Sequence, residues 1–464
     1  MHRCTPFLLL LASLSCDVSA DARRDVGGGK LPAGGEDSTT LVLAGRSAIS
    51  LAFSTPAAAT PQPEKRPPES AKPISEQTAG SHARAAESGT PNDRARQPSG
   101  SGTPATSRHA RDLVDVPVEP PGIVRGLYLN RWVTQSPRRM RTMIAMADST
   151  EINALVLDLK DEFGLNYASN DTLVRRNAGN AGTIPNLRAL IDTMAAHGIV
   201  TIARLVVFKD SVAARVNPQH TIRTAEGTAW RDKEGLTWVN PYDPVIREYN
   251  IRVAEEMARL GFDEIQFDYI RFPEPYRSLP PQVFPDANGI SKPQALAQFL
   301  REACPRIHAL GARCTADIFG LVTSVNGALE IGQHWETLAP ITDVLLPMVY
   351  PSHYPRGAFG IERPNAEPRR VIYEAIAKAR SRNEKLGITN PEHVRAWLQA
   401  FTLGDPAYGP EEILAQKQGV YDAGYDGWIL WHPGSRYEPF LPGLEKETVS
   451  RKKVDVALKD STES

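Results

Sequence analysis

A carboxylate stands in the middle of an apolar stretch of this sequence. The run Asp263-Glu264-Ile265-Gln266-Phe267-Asp268-Tyr269-Ile270-Arg271-Phe272-Pro273 contains β-branched and aromatic residues and ends at a proline, which predicts a strand. Alternation along a strand places Gln266 and Asp268 on one face and Arg271 on the other. A buried carboxylate is costly unless it is paired or solvated. We therefore expect Asp268 to face a wet cleft at the end of this strand.

Polar residues also occur within or just after the other predicted strands. Adjacent parallel strands are about 4.8 Å apart, so Asp268 and Asp317 of the next strand could bring their carboxylates roughly 5 to 6 Å apart. A retaining glycosidase needs a separation of about 5 to 5.5 Å, and an inverting one needs about 6.5 to 9.5 Å. Asp158 is a third candidate for either catalytic role. Lys160 or Arg271 nearby would keep one carboxylate ionised. Less solvent around the other carboxyl group would raise its pKa, so that it could act as an acid.

Aromatic and hydrogen-bonding residues complete the candidate site. Sugar rings present apolar C–H faces that stack on aromatic side chains, while their hydroxyl groups need polar partners. This mixture predicts a polysaccharide or oligosaccharide as the substrate. The candidate substrate-binding residues are Lys160, Arg204, Gln266, Arg271, Tyr350, His353, Trp431 and Trp238.

Other classes of chemistry have weaker support in the sequence. The histidines are scattered and form no HxH or HExxH pair, so we expect no metal and no cofactor. A loose divalent-ion site on Asp158 and Asp161 is the weaker alternative. No GxSxG elbow is present for a serine nucleophile. The formal net charge of -1 gives no electrostatic case for nucleic acid binding.

Eight predicted strands alternate with helical patterns, and together they must position these residues. This order predicts a closed (β/α)8 TIM barrel, whose active site lies at the carboxyl ends of the strands. An open doubly wound sheet is the weaker alternative, because no Gly-rich phosphate loop follows the first strand. The predicted strands are 124–130, 154–161, 200–208, 263–273, 314–319, 343–350, 394–401 and 427–432.

The segments outside this domain indicate export. Residues 1–20 resemble a signal peptide: His2 and Arg3 precede an apolar run and then small residues. Cleavage after Ala20 competes with a lipoprotein signal, in which a lipidated Cys16 would anchor the protein to a membrane. Residues 21–121 are rich in Pro, Ser and Ala and predict a disordered linker. The folded domain is then expected at 122–443, followed by a charged tail at 444–464.

Two cysteines, Cys304 and Cys314, lie in the predicted domain. In an oxidising compartment they could form a disulfide. They could equally be buried free thiols, and the sequence leaves both alternatives open.

Four long blocks resemble a bacterial family of glycosyl hydrolase domains that was long catalogued as a domain of unknown function. The resemblance spans about Val124 to Pro442, and Trp238-Val239-Asn240-Pro241-Tyr242 also fits it. It implies a TIM barrel related to α-amylase-like glycosidases, with Asp268 as the nucleophile and Asp317 as the acid/base. The strand-five acid of the amylases is a Glu, so the shorter Asp317 departs from their pattern. The blocks are 124–129, 150–161, 202–210 and 261–273.

These observations predict an exported glycoside hydrolase of the bacterial periplasm, cell envelope or extracellular space. It would act on a polysaccharide through two carboxylates, by retention if they are close enough. The alternative is a non-catalytic glycan-binding barrel of the cell envelope. The two differ in whether Asp268 and Asp317 point into one cleft.

Overall fold

Eight parallel strands close into a barrel within residues 122–444, the part of the chain that the computed structural model describes. The barrel closes because β1 pairs in parallel with both β2 and β9. A short strand, β3, pairs antiparallel with β2 and forms a hairpin beyond the barrel wall. The strands are β1 (Arg125–Leu129), β2 (Ala154–Asp161), β3 (Gly164–Leu165), β4 (Val200–Val206), β5 (Glu264–Asp268), β6 (Arg313–Phe319), β7 (Val344–Met348), β8 (Ala396–Gln399) and β9 (Trp428–Trp431).

Helices connect successive barrel strands, which confirms the predicted (β/α)8 TIM barrel. The predicted helix at 328–339 is much shorter than expected: only Trp335–Leu338 is α-helical, and Gly327 and Gly332 upstream have positive φ. The helices are α1 (Arg131–Thr134), α2 (Pro137–Ser149), α3 (Thr172–Arg176), α4 (Leu187–Ala196), α5 (Ser211–Val216), α6 (Pro244–Arg259), α7 (Lys292–His308), α8 (Trp335–Leu338), α9 (Pro368–Lys385) and α10 (Pro410–Asp422).

Side chains, hydrogen-bonded caps and a disulfide fix the helices against the barrel. Ser291 and Gln294 form a capping box at the start of α7, which satisfies backbone donors of its first turn. Phe267 of β5 packs edge to face on Phe299 of α7, with ring centroids 4.9 Å apart. Cys304 of α7 and Cys314 of β6 are joined by a disulfide. Of the two alternatives that the sequence left open, the structure therefore has the disulfide and not the free thiols.

The barrel interior is filled in layers. Near the amino ends of the strands, Glu264 and Arg395 form a fully buried ion pair, with Arg313 as a second partner of the same carboxylate. Apolar side chains that include Val156, Ile202 and Leu346 form a separate buried cluster. Further polar side chains, among them Arg204 and Asp268, lie at the carboxyl ends of the strands.

The predicted signal peptide, linker and lipidated Cys16 lie outside the described residues, as does nearly all of the predicted tail. Within residues 122–444, no helix has the length and apolar character needed to cross a membrane.

Candidate functional site

A cleft of about 1140 Å³, partly open to solvent, lies at the carboxyl ends of the barrel strands. This is the end where TIM barrels carry their active sites. Seven of the predicted site residues line it: Asp158, Arg204, Asp268, Arg271, Tyr350, His353 and Trp431.

One arginine joins two of the candidate catalytic carboxylates. Arg204 of β4 forms ion pairs with Asp158 of β2 and Asp268 of β5. Strand register explains the contact: Arg204 pairs with Asp158 on one side and with Gln266 on the other. Tyr128 donates a 2.5 Å hydrogen bond to Asp158. Arg204 therefore has the role that we expected of Lys160 or Arg271, and it orients Asp268 at the floor of the cleft.

Asp317 lies beside Asp268 on the neighbouring strand. Phe267 and Ala316 are paired in register, and the two aspartates are the residues that follow them. Because the strands of a sheet are about 4.8 Å apart, this register is compatible with the close approach of the two carboxyl groups, which stays a prediction. Asp317 is only 1% exposed, and its Oδ1 accepts hydrogen bonds from Gln266 (2.7 Å) and Trp397 (2.6 Å).

The surroundings of these carboxyl groups favour different protonation states. Burial, together with the neighbouring charge of Asp268, raises the pKa of Asp317 well above its usual range. The Oδ2 of Asp317 is buried and has no hydrogen-bond partner among the described residues. Burial also raises the pKa of Asp158, although Arg204 and Tyr128 oppose that effect. The site thus places a buried carboxyl group with a raised pKa next to a carboxylate that is ion-paired with arginine.

Aromatic rings form one wall of the cleft. Trp431 stacks between Tyr128 and Tyr350, with ring centroids 6.1 Å and 5.6 Å away. His353 packs edge-on against Tyr350, and burial lowers the pKa of His353 to about 4. This wall presents apolar ring surface next to polar groups, as a carbohydrate site requires.

The opposite wall is built by the residues that follow β5. Tyr269 has φ 49°, an uncommon conformation for a residue other than glycine, and its backbone N–H donates to Asp268. Arg271 lies over the rings of Tyr269 and Phe319 and forms an ion pair with Glu274. The tight turn at Tyr269 therefore holds both the Asp268 carboxylate and this wall in place.

Four predicted site residues do not line the cleft. Gln266 and Asp317 lie just beneath it. Lys160 points outward, where it forms an ion pair with Asp210 and packs over Tyr249. Its placement is a correction, and a shift in the β2–β4 register between Asp158 and Lys160 explains it.

Trp238 is the second correction. It is 1% exposed, donates a hydrogen bond to Asp232 and packs against the ring of Tyr269. Its place is behind the wall, where it supports residues that do line the cleft.

Sequence reasoning missed several cleft residues. Tyr128 lies in a block that was recognised, and alternation along β1 could have assigned it to the barrel interior. Trp397 stands two residues before Gln399 in β8 and could have been found in the same way. Trp132 lies in α1 and Phe163 in the β2–β3 turn, outside the barrel strands, so no strand periodicity marks them. Within 122–444, no cluster of three or more His, Cys, Asp or Glu residues could hold a metal ion.

Comparisons with known proteins agree with this geometry. Residues 126–437 match the model of the family described as "Putative glycosyl hydrolase domain". A hypothetical protein from Ruminiclostridium thermocellum is 36% identical over 41% of this chain and 96% of its own, with a TM-score of 0.38. No curated protein matches the chain significantly.

Two of the similar solved structures are described as a glycoside hydrolase domain and a fucosidase, and the first of them shares the fold at low identity. The PgaB glycoside hydrolase domain from Bordetella bronchiseptica is 14% identical over 70% of this chain and all of its own, with a TM-score of 0.51. An α-L-fucosidase from Paenibacillus thiaminolyticus is 14% identical over 73% of this chain and 50% of its own, with a TM-score of 0.47. Because the family match spans well over half of the sequence, this protein belongs to that family of glycosyl hydrolase domains and is a glycosidase.

Proposed function

We propose that the protein is an exported glycoside hydrolase that cleaves a polysaccharide by a retaining mechanism, with Asp268 as the nucleophile and Asp317 as the acid/base. The observation that supports this best is the contrast between two adjacent carboxyl groups: Asp268 is paired with Arg204, whereas Asp317 is buried and its pKa is raised. Pairs of carboxyl groups with opposed environments mark the acid and base of a site.

The proposed first step forms a covalent intermediate. Asp268 attacks the anomeric carbon, and the glycosidic bond breaks with its electron pair on the leaving oxygen. The proton of Asp317 moves to that oxygen, and its unpartnered Oδ2 is the atom free to carry it. Arg204 and Asp158 keep Asp268 oriented during the attack.

The second step releases the sugar. Asp317, now a carboxylate, takes a proton from a water molecule, whose oxygen attacks the anomeric carbon and displaces Asp268. The short separation expected for neighbouring strands supports retention, because the inverting reaction needs room for water between the carboxyl groups.

Two features support export. The first twenty residues have the pattern of a signal peptide. The Cys304–Cys314 disulfide is of a kind that persists mainly in oxidising compartments. The polysaccharide would then be one that the protein meets outside the cytoplasm, and Cys16 would provide an anchor if the signal is of the lipoprotein type.

The test is hydrolysis of a panel of bacterial and plant polysaccharides by the purified protein. Asp268→Asn removes the nucleophile and should abolish sugar release, with an unchanged circular dichroism spectrum. Asp192→Asn is the matched control, since Asp192 is 58% exposed on α4, and it should keep full activity.

Each result has a clear meaning. Activity retained in Asp268→Asn would overturn the nucleophile assignment and direct attention to Asp158. Measurable polysaccharide binding without hydrolysis on any member of the panel would favour the non-catalytic glycan-binding barrel instead.

A further inference from the structure

Two large aromatic side chains are exposed at the rim of the cleft. Trp132 of α1 is 46% exposed, and Phe163 of the β2–β3 turn is 45% exposed. Their ring centroids are 6.3 Å apart, and both line the cleft. Adjacent exposed apolar side chains rimmed by polar residues are typical of ligand-binding grooves.

The two rings are held rigidly, although they are exposed. The buried Arg131 donates a 2.6 Å hydrogen bond to Asp161 and another of 2.9 Å to the carbonyl oxygen of Gly164. Its guanidinium also lies 5.7 Å from the centre of the Phe163 ring. The backbone N–H of Phe163 donates to Asp161. These contacts tie α1 to the β2–β3 turn, so little conformational freedom is lost when a ligand binds the rings.

The rim lies on a different side of the barrel from the candidate catalytic pair. Trp132 and Phe163 follow β1 and β2, whereas Asp268 and Asp317 lie on β5 and β6. A ligand that contacts both must extend across the mouth of the barrel. A chain of several sugar units has the length for this.

The charges of the cleft argue against an acidic ligand at the rim. Each cationic side chain that lines it already pairs with a carboxylate. Glu162, next to Phe163, lines the cleft and has no hydrogen bond or ion pair from its carboxylate within residues 122–444. A carboxylate or sulfate on the sugar would meet Glu162 and find no unpaired cation in the cleft. A neutral sugar would offer hydroxyl groups to Glu162.

We infer that Trp132, Phe163 and Glu162 form a distal sugar-binding subsite that takes a non-acidic unit of a polysaccharide chain running across the cleft. The inference rests on the proposed function and specifies its substrate class. Trp132 and Phe163 contact the apolar faces of the sugar ring, and Glu162 accepts hydrogen bonds from its hydroxyl groups.

Native affinity electrophoresis in the cold tests this subsite without requiring catalysis. The gels contain hydroxyethyl cellulose, glycol chitin, xylan or laminarin as non-acidic probes, and alginate or hyaluronan as acidic ones. The full chain should be retarded by at least one non-acidic probe. Trp132→Ala should weaken that binding roughly fivefold or more, as removal of an anchoring aromatic does.

Two further variants control for non-specific effects. Trp132→Phe keeps an aromatic face and should retain part of the retardation. Tyr373→Ala removes an aromatic side chain of similar exposure, 41%, from the outer helix α9 and should bind like the wild type.

Three outcomes would overturn the subsite: no retardation of the wild type by any probe, equal retardation of Trp132→Ala, or retardation by acidic probes alone. Retardation by acidic probes alone would indicate that the polysaccharide binds instead to the exposed arginines beyond Phe163, namely Arg175, Arg176 and Arg215. Retardation that depends on Trp132, without hydrolysis of any polysaccharide, would leave the subsite standing and refute the proposed reaction.

Discussion

Asp268 and Asp317 are the same residue type on neighbouring strands, yet their contacts differ. Asp268 accepts hydrogen bonds from the guanidinium of Arg204, whereas Asp317 accepts from the neutral side chains of Gln266 and Trp397. Desolvation therefore dominates at Asp317 and favours its neutral form. The environment of each residue, rather than its chemical type, is what supports the two proposed roles.

Asp317→Asn should separate acid catalysis from nucleophilic attack. An amide cannot protonate a poor leaving group, so we expect hydrolysis of the natural polysaccharide to fall roughly 10²- to 10⁴-fold. A dinitrophenyl glycoside of the released sugar needs no protonation and should be cleaved with a much smaller loss. Steady-state kinetics on both substrates would measure the difference.

The pH dependence of the same variant provides a second check. Because the pKa of Asp317 is raised well above its usual range by burial, its proton is lost at a higher pH than that of an ordinary carboxyl group. The alkaline decline of wild-type kcat/KM on the polysaccharide should be absent from the residual activity of Asp317→Asn. Equal losses on both substrates, with an unchanged pH profile, would show that Asp317 is not the acid.

At the scale of elements, the hairpin of β2 and β3 carries the rim of the cleft. Gly164 begins β3 with φ 103°, which favours glycine. A Cβ atom at this position would overlap the carbonyl oxygen of Ala178, which accepts a hydrogen bond from Leu165. This glycine lets the chain turn tightly enough to expose Phe163 while Asp161 stays buried.

Gly164→Ala should therefore destabilise the fold and weaken polysaccharide binding together. Backbone strain and the steric overlap should lower the free energy of unfolding by roughly 1 to 3 kcal/mol. Gly227→Ala is the control, because φ there is 81° but a Cβ would meet no atom within 4 Å. Urea denaturation of both variants would compare the two costs, and equal costs would contradict a specific role for the hairpin.

The elements themselves were largely predictable from the sequence. The barrel strands contain β-branched or aromatic residues, and helices separate each strand from the next; that order was enough to predict the barrel. The register shift after Asp158 was not predictable, because it depends on pairing with β4, and so Lys160 was placed on the wrong face. The contact of Arg204 with two aspartates likewise depends on strand register, which one sequence does not reveal.

At the scale of the whole molecule, buried titratable groups make stability depend on pH with opposing signs. Burial lowers the pKa of His353 and His432 to about 4 and also lowers that of His393. These groups contribute stability above an unfolded pKa of about 6.5, and the contribution is lost as pH falls toward the folded values. Asp158 and Asp317 have raised pKa values, so their contributions are lost as pH rises instead.

A histidine variant can isolate one of these contributions. His393 is 4% exposed, and its Nε2 lies 3.0 Å from the carbonyl oxygen of Ala339 while Nδ1 faces the side-chain amide of Asn383. This arrangement suits a neutral ring with its proton on Nε2. Protonation would change Nδ1 from an acceptor into a donor that faces the N–H donor of Asn383, which adds to the cost of burying the charge.

His393→Gln cannot be protonated in this range, so its unfolding free energy should fall less than that of the wild type between pH 6.5 and pH 4. Urea denaturation across this range would measure how the unfolding free energy of each protein changes with pH. Both proteins contain the same aspartates, so the contributions of the aspartates cancel when the two slopes are subtracted. His197→Gln is the control, since His197 is exposed beside Asp148 on the surface. Parallel curves for the wild type and His393→Gln would mean that the His393 ring is charged in the folded protein, because only a ring kept neutral by burial makes the folded state bind fewer protons than the unfolded chain.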